Sequence, residues 1–346
     1  MKSFGIQIQL WQDCNLSCIH CWRDALKNGV YLDIDILIKN LEKFFGYMNY
    51  NYKIRKFYIN LTWWEIFLYA KKILKLIQFF HKKTLEGKYN IYVNLLTNGT
   101  LLSKSLVTEL VKYKKIVRIQ ISFDGLVATH DYYRWSWSFK KSFKGLLNVL
   151  DANINTVVQL VINEKNSEEI INYIKFFSKF PIKIIWIRKM LIVWRAKKIL
   201  KEHYKKRNDY TFKVYRNIFE YLKNNKTNIK ISLGCDAVAL RKFFKEIPSN
   251  VIIWKCNVHD KQIIWIEPNG DVLLCPRLPI KIWNLYEDDL INIYKIKYSK
   301  IYESSFSPSD KCKKCEFYQF CKWWDLCEIY SYFGDLKGHS SLLCSL

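Results

Sequence analysis

Nowhere does this chain stay apolar for the roughly 18–20 residues that a membrane-spanning helix needs, because a Lys, Asp or Glu interrupts every run sooner. It also lacks a secretory start. Met1-Lys-Ser-Phe-Gly-Ile-Gln-Ile-Gln-Leu10 has no long apolar core and no small-residue cleavage site, and its alternation of apolar and polar residues is that of a strand. The expectation is a cytoplasmic protein with no membrane partner. Glycine is scarce: the 13 Trp and 11 Gly together make 24 of 346 residues, about 7%, which is the usual share of Gly alone. There is no long internal repeat and no low-complexity tail. A length of 346 residues suffices for one large α/β domain and a smaller second one.

Acidic residues are also in short supply, 31 against 56 Lys and Arg, for a formal charge of +25. Such an excess binds phosphates when it is clustered. Here Lys is spread over nearly every predicted helix beside Ile, Asn, Tyr and Phe, as an AT-rich genome produces without selection for binding. Nucleic acid is therefore not expected as the main substrate. An acidic peptide, or an electron donor with an acidic surface such as flavodoxin or ferredoxin, would be drawn to this field.

Short apolar runs alternate with amphipathic stretches. They predict strands at Phe4–Leu10, Lys56–Leu61, Tyr89–Leu96, Val117–Ser122, Asn155–Val161 and Ile182–Ile187. Helices are predicted at Asp33–Met48, Phe67–Lys83, Ser103–Tyr113, Phe139–Leu150 and Ser167–Phe177. A strand followed by an amphipathic helix, repeated, is the signature of parallel βα units, and active residues collect at the strand C-terminal ends. The fold class expected is α/β, a partial (β/α)6 TIM-like barrel over residues 1–196. Residues 197–234 read as a Lys- and Asn-rich helical connector, and residues 235–346 as a small cysteine-rich domain.

Eleven cysteines in a chain expected to be cytoplasmic point to metal or catalysis rather than to disulfides. Cys14-x3-Cys18-x2-Cys21 follows the first strand. Three thiols this close can converge on one metal centre and leave a fourth position without a protein ligand. Iron–sulfur clusters are normally held by four thiolates, so the loop suggests an iron kept for a substrate or cofactor. A zinc loop and free buried thiols are the other readings. The remaining eight are Cys235, Cys256, Cys275 (in Gly270-x4-Cys275), Cys312-x2-Cys315-x5-Cys321-x5-Cys327 and Cys344. Eight thiols are enough for two four-thiolate clusters, with a treble-clef-like zinc module as the alternative.

At these two cysteine sets the chain resembles the radical S-adenosylmethionine enzymes that carry a C-terminal SPASM extension. The resemblance implies a 4Fe-4S cluster on Cys14, Cys18 and Cys21, with its remaining iron chelated by S-adenosylmethionine. It implies two auxiliary 4Fe-4S clusters, one on Cys235, Cys256, Cys275 and Cys327, the other on Cys312, Cys315, Cys321 and Cys344. The family's final cysteine pair is usually spaced by three residues and here by five. His20 would shield the first cluster and touch the adenine. Trp63, Trp64 and Glu65, in Asn60-Leu-Thr-Trp-Trp-Glu65, take the place of a Gly-Gly-Glu turn that binds the cofactor's amino group. Ser122 and Asp124 end the fourth strand, where a Ser or Thr reaches the ribose. Arg134 would pair with the cofactor carboxylate, a task suited to a guanidinium fork. Without the resemblance, each of these reads as a surface or cap residue.

The implied activity is reductive cleavage of S-adenosylmethionine to methionine and a 5'-deoxyadenosyl radical, which removes a hydrogen atom from an unreactive carbon. The auxiliary clusters would take up the remaining electron or ligate the substrate. Oxidative maturation of a small ribosomal peptide is the expected outcome. Tetrapyrrole side-chain chemistry is the alternative, and a non-catalytic iron–sulfur electron carrier or nucleic-acid binder is the non-enzyme reading. Sulfatase maturases carry an Asp that serves as base directly after the cysteine that here is Cys275. Pro276-Arg277 stands there instead, so sulfatase maturation is not expected. With no domain ahead of Cys14, leader-peptide recognition is expected to need a separate protein.

Several tryptophans stand where the family has glycine: Trp63 and Trp64, Trp135 and Trp137 after Arg134, Trp194, Trp283, and Trp323-Trp324 in the last cysteine set. Gly is wanted at such places for positive φ or close backbone approach. An indole forced into a packed turn costs on the order of 1–3 kcal/mol. The expectation is that most of these are UGA codons that the source reads as glycine. The alternative is genuine, partly exposed Trp in a diverged or inactive protein.

Overall fold

The computed structural model describes residues 2–21, 29–62, 64–190, 204–234, 237, 246–254, 256–258, 260–316, 318 and 326–336. Six strands, β1 Ser3–Ile8, β2 Lys56–Leu61, β3 Asn90–Thr97, β4 Val117–Ser122, β5 Asn155–Ile162 and β6 Ile184–Lys189, pair in chain order and in parallel. Alternate positions such as Phe57, Ile59 and Leu61 in β2, or Val158, Leu160 and Ile162 in β5, are buried. Period-2 alternation puts the intervening residues on the other face. There Asn94 Nδ2 donates to Asn60 Oδ1 at 3.1 Å and to Gln120 Oε1 at 3.0 Å, and Gln120 Nε2 donates to Gln159 Oε1. Side-chain amides on neighbouring strands thus satisfy one another across the sheet, as buried polar groups must.

Between the strands run α1 Ile34–Tyr52, α2 Ala70–Leu85, α3 Lys104–Val111, α4 Val127–Arg134, α5 Ser138–Asp151, α6 Glu164–Ser167 and α7 Ile170–Phe177. Asp33 starts α1 by accepting from the N–H groups of Asp35 and Ile36 at 2.8 and 3.0 Å. The helix then buries the stripe Leu37, Leu41, Phe44, Phe45 and Met48. The expected units are all present. Helix α4 was not anticipated, because Val-Ala-Thr-His-Asp-Tyr-Tyr-Arg buries only His130 and Tyr133 and carries no helical apolar stripe.

The sheet does not stop at β6. Strands β7 Lys230–Leu233 and β8 Val251–Ile253 continue it in parallel. On the other side β9 Ile263–Ile266 runs parallel to β1, and β10 Asp271–Cys275 and β11 Leu278–Asn284 follow antiparallel, giving one sheet of 11 strands. Residues 197–234, read from sequence as a helical connector, therefore hold the helix Tyr204–Asn224 and then a strand of the main sheet. Strands of three and four residues are too short for alternation to announce them. A second, smaller apolar cluster forms around Val258, Ile263, Leu278, Leu326, Ile329 and Leu336. Among the described residues no helix is long and apolar enough to cross a membrane.

Helix α5 seats the loop after β3. Ser142 Oγ donates to Asn98 O at 2.6 Å and Asn148 Nδ2 to Leu102 O at 2.8 Å, while Gly145 lets the helix close on the Gly99 carbonyl, which any Cβ at 145 would strike. Ala in place of a mid-helix Gly ordinarily stabilises by about 1 kcal/mol. Gly145→Ala is instead expected to destabilise by about 1–3 kcal/mol, read as a lower urea midpoint. A midpoint that stays or rises would show that α5 does not rest on this loop.

Candidate active site

The C-terminal ends of β1 to β6 open into one cavity of about 190 Å³. Cys14, Cys18, His20 and Cys21 form one wall, and Trp64, Asn98, Ser122 and Arg134 lie beside them. Gln159, Val161, Lys189, Met190 and Arg277 also line it. The volume is below the roughly 300–1,000 Å³ usual for small-molecule sites.

Asp124, fully buried just past β4, organises the wall that carries the charges. Its Oδ2 accepts from Arg134 Nε at 2.5 Å and from His20 Nε2 at 3.0 Å. Its Oδ1 accepts from the Val161 N–H at 3.3 Å, and its own N–H donates to His130 Nδ1 at 3.3 Å. Burial alone would raise the carboxyl pKa, but the guanidinium of Arg134 and His20 outweigh it and hold Asp124 well below the usual carboxylate range. Burial would lower Arg134, yet the Asp124 carboxylate outweighs it and holds the guanidinium charged. Among the described residues only its Nε is engaged in a hydrogen bond, which leaves the fork of terminal nitrogens on the cavity side. His20 packs edge-on against Tyr133 at 5.4 Å, and its Nδ1 is buried without a partner.

Glu65 is the second buried carboxylate. Thr97 Oγ1 donates to both of its oxygens at 2.7 and 2.8 Å, and the N–H groups of Asn98 and Phe67 donate at 2.8 and 3.1 Å. The Glu65 carbonyl accepts from Trp11 Nε1 at 3.1 Å, and its N–H donates to Asp13 O at 3.2 Å. The side chain thus clamps the turns after β2 and β3, and its backbone clamps the cysteine loop. Desolvation pushes the carboxyl up to about 7 against the pull of these donors.

Burial likewise pushes the Cys14 thiol up to about 12 and the Cys18 thiol up to about 11, the nearby Arg134 charge opposing it at Cys18. Thiolates would persist here only against additional positive charge, which a bound metal centre provides. Among the described residues no three His, Cys, Asp or Glu side chains converge as a single-ion site requires. An iron–sulfur cluster asks for less convergence, because each thiolate takes a different iron. Three cysteines on one cavity wall beside a cationic fork fit such a group with an anionic ligand.

Sequence reasoning placed Cys14, Cys18, Cys21, His20, Trp64, Ser122 and Arg134, and the cavity unites them. Glu65 and Asp124 support that wall from behind. Trp63 lies outside the described residues, as do Cys235, Cys321, Cys344, Trp194, Trp323 and Trp324. Cys256, Cys275 and Cys312 gather at the second apolar cluster, whereas Cys315 is exposed and Cys327 lies on the helix Leu326–Phe333. Asn98, Gln159, Lys189, Met190 and Arg277 were missed. Asn98 and Met190 sit directly after β3 and β6, where the strand-end rule could have found them. Nothing local marks Arg277, which arrives from the opposite edge of the sheet.

Residues 8–177 match the Radical SAM superfamily. Over 105 residues the chain is 33% identical to the sporulation killing factor maturation protein SkfB of Bacillus subtilis, covering 30% of this chain and 25% of that one. It is 21% identical over 344 residues to the cysteine-type anaerobic sulfatase-maturating enzyme of Clostridium perfringens, covering 89% and 85%. The structure of Streptococcus suis SuiB bound to precursor peptide SuiA superposes with a TM-score of 0.71 at 17% identity, covering 99% and 76%. The last likeness establishes the fold alone. Residues 8–177, just under half of the chain, carry a radical SAM domain, and the protein is an enzyme.

The Glu65 carboxyl, raised to about 7, keeps a proton in the folded protein over a pH range where the unfolded chain has released it. Its contribution favours the folded state at low pH and is lost as pH rises through about 7. In metal-free protein the stability margin of wild type over Glu65→Gln should therefore shrink from about pH 5 to about pH 8. A margin independent of pH in denaturant titrations would show that Glu65 is ionised throughout.

Proposed function

We propose that this enzyme cleaves S-adenosylmethionine reductively and abstracts a hydrogen atom from a ribosomal peptide, in an oxidative maturation. The reading rests on one observation above all: three cysteine thiols and the outward fork of Arg134 face the same cavity at the strand ends. The likeness to SkfB and to SuiB with its precursor peptide supports a peptide rather than a tetrapyrrole. Pro276 and Arg277 after Cys275 remain the reason for not transferring sulfatase maturation from the Clostridium perfringens relative.

When bound, a reduced 4Fe-4S cluster with S-adenosylmethionine supplies the hydrogen-abstracting radical. Cys14, Cys18 and Cys21 would hold that cluster. Arg134, oriented by Asp124, would take the cofactor carboxylate with two parallel N–H donors. Ser122 would reach the ribose, His20 would cover the cluster, and Trp64 stands in the turn where the amino group would lie. Val161 and Met190 give the cavity apolar surface. Lys189 and Arg277 would add positive charge to it, which suits an acidic peptide.

The same proposal extends to the rest of the chain and its partners. Residues 235–346 would form the SPASM portion, with two auxiliary 4Fe-4S clusters as partitioned above, after a core over 1–196 and the segment 197–234. A flavodoxin- or ferredoxin-like donor would supply the electron in the cytoplasm, and a separate leader-binding protein would present the substrate.

Anaerobically reconstituted protein is expected to hold about twelve irons. Replacing Cys14, Cys18 and Cys21 together by Ala should leave about eight and abolish cofactor cleavage. Two zinc ions with no visible absorption would sink the assignment. Arg134→Lys should weaken S-adenosylmethionine binding on the order of tenfold or more with iron content unchanged, since a point charge cannot reproduce a bidentate contact. Unchanged affinity in an equilibrium-binding assay would remove Arg134 from the cofactor site.

A further inference from the structure

We propose that positions 64, 135 and 137 are glycine in the natural protein, encoded by in-frame UGA codons that its source reads as glycine and that standard translation renders as tryptophan. The warrant is backbone geometry, and it stands whether or not the peptide substrate does.

Six non-glycine residues among those described have positive φ: Lys53, Trp64, Trp135, Trp137, Asn153 and Lys261. Half of them are tryptophan, a residue that supplies only 13 of 346 positions. A bulky side chain at positive φ is a genuine outlier, whereas glycine adopts such conformations freely. Trp135 has φ 156° and ψ 147°, close to the region essentially reserved for glycine, and it directly follows α4, where glycine is the favoured helix stop. Trp137 sits at φ 67° and ψ 1°, in the left-handed region, just ahead of α5. Trp64 has φ 51°.

Something other than the indoles fixes these conformations. The Asp131 carboxylate accepts from the N–H groups of Trp137 and Phe139 at 2.9 and 2.7 Å and from Ser138 Oγ at 3.1 Å, while Trp135 N–H donates to Asp131 O at 3.1 Å. The turn is held by backbone and by Asp131. The side chains of Trp135 and Trp137 meanwhile stand 64% and 68% exposed. Trp137 has Lys140 Nζ 5.9 Å from its ring centre, at the outer limit of a cation–π contact. Trp64 is worse placed: its indole lines the active-site cavity with Nε1 buried and unpartnered, although a buried indole N–H normally finds an acceptor. Removing that indole would enlarge a cavity that is small for its family's ligand.

The other described tryptophans have no positive φ, although Trp186 Nε1 is, like that of Trp64, buried without a partner. Trp11 and Trp265 are buried with Nε1 donating to Glu65 O and Glu267 Oε1, and Trp254 Nε1 donates to Ser232 Oγ. Trp283, expected from sequence to belong to the glycine set, lies in β11 without positive φ and stacks under Lys297 Nζ at 3.2 Å. The proposal leaves it as tryptophan. Backbone strain thus divides the tryptophans into two classes that composition could not separate.

The decisive experiment is peptide mass spectrometry of the protein isolated from its natural source, with the coding sequence read alongside. Glycine masses at 64, 135 and 137, with UGA at the three codons, are expected. Indole-containing peptides, or UGG there, overturn the proposal and leave the exposed pair as a contact surface. A second arm uses the chain with tryptophan at all three positions as parent. The triple variant Trp64→Gly, Trp135→Gly, Trp137→Gly should melt about 2–4 °C higher than that parent, while Trp265→Gly melts far lower. A triple variant that melts lower shows the indoles to be stabilising and also overturns it.

Discussion

A fully buried carboxylate, Asp124, is the constraint on which the active-site wall depends. It bonds at once to the cysteine loop through His20, to the end of α4 through Arg134 and His130, and to β5 through the Val161 N–H. Asn166 Nδ2 adds a further tie by donating to the Asp124 carbonyl at 2.9 Å. Desolvating a charge of either sign costs several kcal/mol, and here the Asp124 anion offsets the cost for Arg134 only while the geometry holds. Losing either would strand the charge of the other. The arrangement therefore selects one position for Arg134, with Nε turned inward and the terminal nitrogens turned to the cavity.

Glu65 has the corresponding role beside β2 and β3, with different chemistry. Among the described residues no cation forms an ion pair with it, and its oxygens accept from Thr97, Asn98 and Phe67. A buried carboxylate held by neutral donors is pushed up by desolvation, which is why the Glu65 carboxyl lies about 7 while Arg134 and His20 hold Asp124 far below. Both carboxylates pin turns at strand ends, where backbone groups have run out of sheet partners. The cavity between them collects positive charge from Arg134, Lys189 and Arg277. That field suits thiolates and an anionic ligand.

The positive-φ residues 64, 135 and 137 border this same wall. Residue 64 lies next to Glu65 and residue 135 next to Arg134, both of which the wall needs. Strain in the backbone tends to concentrate at such places because the surrounding structure over-determines them. What occupies these positions decides how much room the cavity has.

The order of strand and helix, the α/β class and the cysteine loop after the first strand were legible in the sequence, because period-2 and helical alternation and close cysteine spacing are local signals. β2 and β4 appear at the residues expected, Lys56–Leu61 and Val117–Ser122. Arg134 was picked out from the sequence as well, and it lines the cavity. Tertiary structure alone decided that the sheet runs on through β7 and β8, since strands this short gain their stability from neighbours rather than from their own pattern. It alone brought Arg277 to the cavity from the far edge of the sheet, and it alone made Asp124 the hub. It also separated tryptophans that sit at positive φ from those that do not. Composition records which residues are present, but backbone dihedrals and burial arise only when distant segments pack, and those are the quantities that set charge, strain and access at this site.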